Sequence, residues 1–232
     1  GTSGRLGVRD AAECPPTYGT DPNQIIGLIA GGPSALRRSI EGAEDDQGQG
    51  AADIAAHNVS DRDVVLGIAA SGRTPYVIGA VAEARQRGAV VAGLACTRPS
   101  PLESAVDLMI APVVGPEVVT GSTRMKAGTA QKLVLNTLTT TVMILLGKTF
   151  GNLMVDVQPM NEKLRYRAAR IVAMATGLAE SEAAALLDKA GSDPKVAIVM
   201  ALADVDVEEA GQRLNISGGR VRQAIARPPS DG

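Results

Sequence analysis

The sequence contains only one histidine and two cysteines in 232 residues, and this scarcity excludes several kinds of site. His57 lies in a polar stretch without a recognisable motif, so a Ser-His triad is not expected and we predict a surface position. Cys14 and Cys96 lie in segments predicted to be interior and have neither metal-ligand nor disulfide-framework spacing, which fits a reducing, cytoplasmic setting. No cluster of histidine, cysteine or carboxylate residues has metal-ligand spacing, and no metal is predicted.

Clusters of basic residues and long apolar runs are also lacking. Lysine and arginine are dispersed and the net charge is −2, so the sequence predicts no nucleic-acid partner and no anionic membrane surface. No apolar run reaches the roughly 18 residues that span a bilayer, and the N-terminus lacks a signal-peptide pattern. With 45% apolar residues the chain can bury a sizeable core, as a globular protein does.

Short apolar segments alternate with amphipathic ones through the first half of the chain. The pattern predicts buried strands at 24–31, 63–70, 89–96 and 108–112, and helices at 34–45, 51–56 and 75–86. This alternation is typical of an α/β fold with a mainly parallel sheet, whose ligands bind at the carboxyl ends of the strands. The chain starts without methionine and inside a loop motif, so we expect a further strand before Gly1.

The second half of the sequence is helical. Residues 129–146 predict a long helix that is apolar on most faces, which favours an oligomer because a second subunit can cover what the sheet does not. A short strand is expected within 151–157, before Pro159. Helices are then predicted at 162–176, at 180–189, from Pro194, at 206–214 and from a cap at Ser217 to Ile225. We therefore predict a catalytic domain at 1–160, a helical domain at 161–227 and a frayed tail at 228–232.

The first sixteen residues combine glycines, hydroxyls, an arginine and a carboxylate in what the sequence predicts to be a loop and helix start. Glycines at 1, 4 and 7 would let backbone N–H groups approach a ligand, and Thr2 and Ser3 would add hydroxyl donors for a phosphate. Glu13 lies just before Pro15 and Pro16, which are expected to stop the helix.

Two later loops have similar chemistry. Ser71, Gly72, Arg73 and Thr74 directly follow a predicted strand and precede a helix, an arrangement that binds phosphate through hydroxyl and N–H groups. Residues 121–126, which include Ser122 and Lys126, open the long helix and suggest an anion contact. In each case an ordinary helix cap with solvated side chains is the alternative.

Glu13 and Glu44 are the candidates for proton transfer. Both are expected at the ligand end of the sheet, where two carboxylates in different surroundings can act as acid and base. Spacing alone is weak evidence, since a glutamate on a helix is usually solvated, and Glu41 and Asp45 are local competitors of Glu44.

Several long motifs in a consistent order give the sequence a family resemblance. They lie at residues 1–7, 12–18, 41–45, 67–76, 120–132 and 151–156. Together they closely resemble the N-acetylmuramic acid 6-phosphate etherases, and the resemblance covers the whole chain. It implies a sugar isomerase (SIS) fold, a three-layer αβα sandwich with a small C-terminal helical domain, in a cytoplasmic homodimer with its active site near the interface.

The resemblance also implies a reaction and its residues. The family cleaves the D-lactyl ether of N-acetylmuramate 6-phosphate by elimination and rehydration, in peptidoglycan recycling and without a cofactor. Glu13 and Glu44 match the catalytic glutamates, with Glu13 as the acid for departing lactate and Glu44 as the base at C2. The sugar-phosphate positions that match are Thr2, Ser3, Arg5, Ser71, Gly72, Arg73, Thr74, Ser122 and Lys126.

Two other functions are compatible with this fold. One is a non-catalytic sugar-phosphate sensor, similar to the related glucokinase regulatory protein, and the other is an aldose-ketose isomerase. Retention of both Glu13 and Glu44 argues against the sensor.

Overall fold

The computed structural model describes residues 1–157 and 161–226, which fall into two compact units. The first unit comprises Gly1–Ala12 and Ile25–Thr137, and the second comprises Glu13–Gln24 and Leu138–Gly232. The first half of the chain forms α1 (Thr2–Tyr18), a 3-10 helix (Pro33–Leu36), α2 (Gln47–Ala56), β1 (Val64–Ile68), α3 (Pro75–Gln86), β2 (Val90–Leu94), α4 (Pro101–Ala105), β3 (Leu108–Ile110) and α5 (Lys126–Leu145). The second half forms β4 (Thr149–Phe150), β5 (Leu153–Met154), α6 (Glu162–Thr176), α7 (Glu180–Lys189), α8 (Pro194–Ala203), α9 (Val207–Ile216) and α10 (Val221–Ile225).

A parallel sheet in the order β1-β2-β3 forms the centre of the first unit. Three of the predicted strands are confirmed, with each end shortened by at most two residues. Gly67 of β1 lies opposite Gly93 of β2. A side chain on Gly67 would come within 2.7 Å of Val81, so this glycine lets α3 lie close to the strand. Apolar side chains between the sheet and its helices are fully buried, including Val81, Val91, Leu94 and Leu102.

The predicted strand at 24–31 is wrong. Residues 26–29 have no regular secondary structure and form no strand in the described part of the chain. They lie along α1 instead, where Gly27 comes so close to Val8 that an added Cβ would be 2.6 Å from its Cα. Ile29 is buried next to Gly4 of α1, and this burial needs no hydrogen-bonded ladder. The predicted helix at 34–45 is also wrong, because only the 3-10 turn Pro33–Leu36 forms and residues 41–45 are turns.

α1 continues through Pro15 and Pro16 and ends at Tyr18, so the expectation that the prolines stop the helix is wrong. Each proline removes one helical N–H donor. The helix still closes, because the Gly19 N–H donates to the Pro15 carbonyl at 2.9 Å. Glu13 therefore lies inside a helix rather than at its end.

The second unit has its own apolar core, formed by α6 to α10 and the residues around the β4–β5 hairpin. The predicted helices at 162–176 and 180–189 are confirmed at both ends, and Asp193 caps α8 with Pro194 in its first position. Ser217 is not the cap of α10, because its hydroxyl donates back to the Leu214 carbonyl at the end of α9. The Lys195 ammonium lies 2.5 Å from the Asp156 carboxylate in a largely buried ion pair.

α5 is less buried in the single chain than its sequence suggests. Met143 is fully buried, but Leu133, Ile144 and Leu145 are each more than half exposed. The oligomer that the sequence favours stays a prediction.

The domain boundary predicted at residue 160 lies inside the second compact unit and stays a prediction. The expected tail at 228–232 and Pro159 lie outside the described residues. None of the helices in the described ranges is long and apolar enough to cross a membrane.

Candidate functional site

The loop at residues 71–74 joins the carboxyl end of β1 to α3, at the edge where the sequence predicts ligand binding. Ser71 and Arg73 are exposed, and Thr74 is the N-cap of α3 without a side-chain capping bond. The first N–H groups of α3 are already bonded, since Tyr76 donates to the Glu44 carbonyl and the next two donate to Thr74. An anion here would therefore be bound by the loop and its side chains, while the helix adds its positive end.

Gly72 fixes this loop against the next one. Its φ is +62°, a conformation that favours glycine, and an added Cβ would lie 2.5 Å from the Ser100 side chain. Its carbonyl accepts the Leu102 N–H of α4 at 3.0 Å. The loop that carries Ser71 and Arg73 is thus held at Gly72 against the start of α4.

Glu44 lies beside this loop. Its backbone carbonyl accepts the Tyr76 N–H at 3.0 Å, and its carboxylate lies 2.8 Å from the backbone nitrogen of Gly1. The carboxylate is about half exposed. The first unit therefore brings together Glu44, the start of α1 and the loop after β1, which are far apart in the sequence.

Thr2 and Ser3 lie in the first turn of α1, not in a loop. The Ser3 hydroxyl donates to Gln131 Oε1 at 3.0 Å, and Thr2 accepts from the Thr123 hydroxyl at 3.2 Å. Gly4 faces the interior rather than a ligand, since an added Cβ would meet Ile29 at 2.6 Å, so the expected close ligand approach at Gly4 is wrong.

Gly7 likewise faces the protein, with an added Cβ 3.2 Å from Ile68. Arg5 is exposed, and its Nε donates to the Leu36 carbonyl at 3.1 Å. Residues 2–7 therefore form the start of a helix rather than a glycine loop, and their role in a site stays a prediction.

A carboxylate that the sequence analysis did not single out lies at the start of α5. Glu117 accepts the backbone N–H groups of Lys126 and Ala127 at 3.0 and 3.1 Å. The bond from Lys126 is the largest cause that lowers the pKa of Glu117. Ser122 accepts the Arg124 N–H, as a local turn residue does, and Lys126 is exposed. No local pattern marks Glu117, because the helix it caps begins nine residues later.

Glu13 lies on α1 in the second unit and is exposed. Its pairing with Glu44 stays a prediction. Cys14 and Cys96 are free and buried, and burial raises the pKa of the Cys96 thiol. His57 is exposed at the end of α2, which confirms its predicted surface position. Among residues 1–157 and 161–226, no group of three or more histidine, cysteine or acidic residues could hold a metal ion.

Family models match the part of the chain that carries this geometry. The N-terminal SIS domain of glucokinase regulatory protein matches residues 1–85, and the SIS domain matches residues 48–141. The parallel sheet, the loop after β1 and Glu44 lie within these matches, which confirms the predicted SIS-type α/β fold.

Curated relatives match nearly the whole chain. A protein of Serratia proteamaculans is 56% identical over 227 residues, 98% of this chain and 76% of the relative. A protein of Streptomyces avermitilis is 56% identical over 229 residues, 99% of this chain and 74% of the relative. A protein of Caldanaerobacter subterraneus is 53% identical over 225 residues, 97% of this chain and 74% of the relative. All three are named N-acetylmuramic acid 6-phosphate etherase. The chain belongs to the N-acetylmuramic acid 6-phosphate etherase family.

Proposed function

We propose that this protein is an enzyme that cleaves the D-lactyl ether of N-acetylmuramate 6-phosphate with water. The products are N-acetylglucosamine 6-phosphate and D-lactate, and the reaction serves peptidoglycan recycling. The observation that carries the proposal is an identity of more than half, over almost all of the chain, to relatives named for this etherase. The sensor and isomerase alternatives are not favoured, because these relatives are all etherases by name.

The reaction proceeds by elimination and rehydration. In the open-chain sugar the C1 aldehyde acidifies the C2 proton, which a base removes. The C3–O bond then breaks, and the departing lactate oxygen takes a proton from an acid. Water adds its oxygen to C3 and a proton returns to C2, so the sum is hydrolysis of the ether. Two carboxylates can supply every proton transfer in this sequence.

We assign the base at C2 to Glu44 and the acid to Glu13. Glu44 fits because its carboxylate is accessible and its backbone is fixed beside the loop after β1. Glu13 is an exposed carboxylate on α1, and we propose that it protonates lactate and then activates water.

The 6-phosphate is proposed to bind at residues 71–74. Ser71 and Arg73 are exposed there, and the positive end of α3 favours an anion. Thr2, Ser3, Arg5, Ser122 and Lys126 are proposed to border the same sugar-phosphate site. The hydroxyls of Thr2 and Ser3 are engaged with Thr123 and Gln131, so substrate contact would require them to exchange partners.

We also propose a homodimer that works in the cytoplasm, with its active site near the interface and without nucleic-acid or membrane partners. The exposed apolar side chains of α5, Leu133, Ile144 and Leu145, support an interface, because such groups are normally covered. A net charge of −2 gives no basic surface for a polyanion.

The test is lactate release from N-acetylmuramate 6-phosphate in deuterated water. We expect D-lactate and deuterium at C2 of the sugar product, because the C2 proton exchanges with solvent. A protein that yields neither would refute the proposal. Conversion of fructose 6-phosphate instead would establish the isomerase alternative.

The division of roles is tested with two isosteric variants and a control. Glu13→Gln should abolish lactate release but leave C2 exchange on the sugar product measurable, whereas Glu44→Gln should abolish the exchange. Glu41→Gln, an exposed carboxylate in the same turn as Glu44, should retain both activities. Loss of C2 exchange as the main defect of Glu13→Gln would reverse the assignment.

A further inference from the structure

Glu44 projects from a turn, so its position depends on what holds its backbone. The turn at 41–45 is exposed at most positions, and the Glu44 carboxylate itself is about half exposed. Two residues later, Asp46 caps α2 by accepting the Gln49 N–H at 2.8 Å. The placement of Glu44 is therefore tied to the start of α2 and to whatever fixes α2 in the first unit.

Tyr76 of α3 contacts both the turn and α2. Its backbone N–H donates to the Glu44 carbonyl at 3.0 Å, and its hydroxyl donates to Asp53 Oδ2 at 2.5 Å. Asp53 lies on α2, where its other oxygen accepts the Gln49 side-chain amide at 2.6 Å. Tyr76 thus connects the start of α3 to the turn at 41–45, which carries Glu44, and to α2.

The surroundings of the Tyr76 hydroxyl keep it a hydrogen-bond donor. The residue is only 6% exposed, and burial, followed by the bond to Asp53, raises the pKa of its phenol. A buried neutral donor paired with a carboxylate makes a strong, well-directed bond. Gly50 and Gly79 allow the close crossing of α2 and α3 that this bond requires, because a Cβ on either would overlap a carbonyl of the other helix.

We propose that Tyr76 and Asp53 are positioning residues for Glu44, a role that rests on the proposed function. The hydroxyl bond fixes α2 against α3, and the backbone bond then holds Glu44 at the edge of the sheet beside residues 71–74. Neither side chain is required to touch the substrate. Their contribution is to keep the base within reach of C2, where small displacements reduce the rate steeply.

Tyr76→Phe and Asp53→Leu test this role, because each removes one partner of the bond between the Tyr76 hydroxyl and Asp53. Tyr76→Phe removes the hydroxyl and keeps the ring and the backbone bond to Glu44. For each variant we expect kcat for lactate release and the rate of C2 exchange to fall together by about tenfold, with KM changed less than about twofold. The double variant should lose little more than either single one, since both changes break the same bond.

Tyr166→Phe is the matched control. Tyr166 is 59% exposed on α6, so loss of its hydroxyl should leave both rates unchanged. Circular dichroism at the assay temperature shows that each variant is folded. A folded Tyr76→Phe protein with normal kcat and exchange would overturn the positioning role, as would a defect confined to KM. A wild-type protein that releases no lactate would instead refute the proposed function and with it this role.

Discussion

The close crossing of α2 and α3 predicts that replacing a glycine of α2 with alanine destabilises the protein, although alanine normally favours a helix. Gly50 of α2 lies against the Tyr76 carbonyl, and Gly79 of α3 lies against the Gln47 carbonyl. An added Cβ at Gly50 would overlap that oxygen. The obstacle is backbone, which cannot rotate away as a side chain can, so α2 would have to move.

Two opposing effects decide the outcome of Gly50→Ala. Alanine is favoured over glycine in a helix interior by about 1 kcal/mol. Overpacking typically costs about 1–3 kcal/mol, and a contact with a backbone carbonyl belongs at the upper end. We therefore expect Gly50→Ala to destabilise the protein by about 2 kcal/mol, the overlap prevailing over the propensity.

Gly48→Ala is the control in the same helix. A Cβ there would lie 3.4 Å from Asp46 Oδ1, an ordinary contact, so the change should be neutral or stabilising by up to about 1 kcal/mol. Thermal unfolding followed by far-ultraviolet circular dichroism compares the two. The Gly50→Ala midpoint should fall by roughly 2–4 °C for each kcal/mol lost. Equal stability of the two variants would show that α2 and α3 are not packed as closely as described.

Three further predictions concern stability. Hydrogen bonds from backbone N–H groups lower the pKa of Glu117 below its ordinary 4.5. The ionised carboxylate therefore stabilises the folded protein above that pH, and this stabilisation is lost as the pH falls through the lowered pKa. The thermal midpoint of Glu117→Gln should thus decline less with acid than that of the wild type. Lys195→Met should cost about 3 kcal/mol in urea unfolding, because the mostly buried Asp156 carboxylate loses its nearer cation and keeps Lys148 at 3.7 Å; adding Asp156→Leu should recover part of that loss. Leu102→Ala should cost about 3 kcal/mol by leaving a cavity under the sheet, and a loss below about 1 kcal/mol would contradict its full burial.

The elements with a clear periodic pattern were predictable from the sequence. α3, α6 and α7 begin and end where the pattern places them, and each has a helix-start signal or an apolar stripe that agrees with its packing. The segment at 24–31 failed because a short apolar run shows that a segment is buried but not whether it is buried beside a strand. Burial against α1 satisfies the same pattern without strand pairing.

The candidate site was predictable only in part. The motif at residues 71–74 follows a strand and precedes a helix, so local sequence placed it at the sheet edge. The bonds that join it to the other segments, such as that from Tyr76 to Glu44, connect distant parts of the chain and leave no local signature. The glycines that flank Thr2 and Ser3 favour a loop, yet packing against Ile29 favours a helix there.

Helix N-termini distinguish the three loops that the sequence offers for a phosphate. At α2, the Asp46 carboxylate already caps the first turn, and at α5 the Glu117 carboxylate accepts the first N–H groups. The Gly1 nitrogen at the start of α1 lies beside the Glu44 carboxylate. α3 differs, since its N-cap is Thr74 and its first turn has no acidic residue. Of α2, α3 and α5, α3 is therefore the one whose first N–H groups are not accepted by a carboxylate.

This difference predicts unequal effects on substrate binding. A charge-assisted hydrogen bond to phosphate contributes roughly 1.5–3 kcal/mol, so Arg73→Ala should raise KM for the sugar phosphate by about tenfold or more. Lys126→Ala, at the helix start that Glu117 already caps, should raise KM by less than about threefold. Steady-state kinetics of the two variants, with inorganic phosphate as a competing ligand, measure the contrast. A larger defect in Lys126→Ala would place the phosphate at the start of α5, because Glu117 would then have to give up its N–H groups to the substrate.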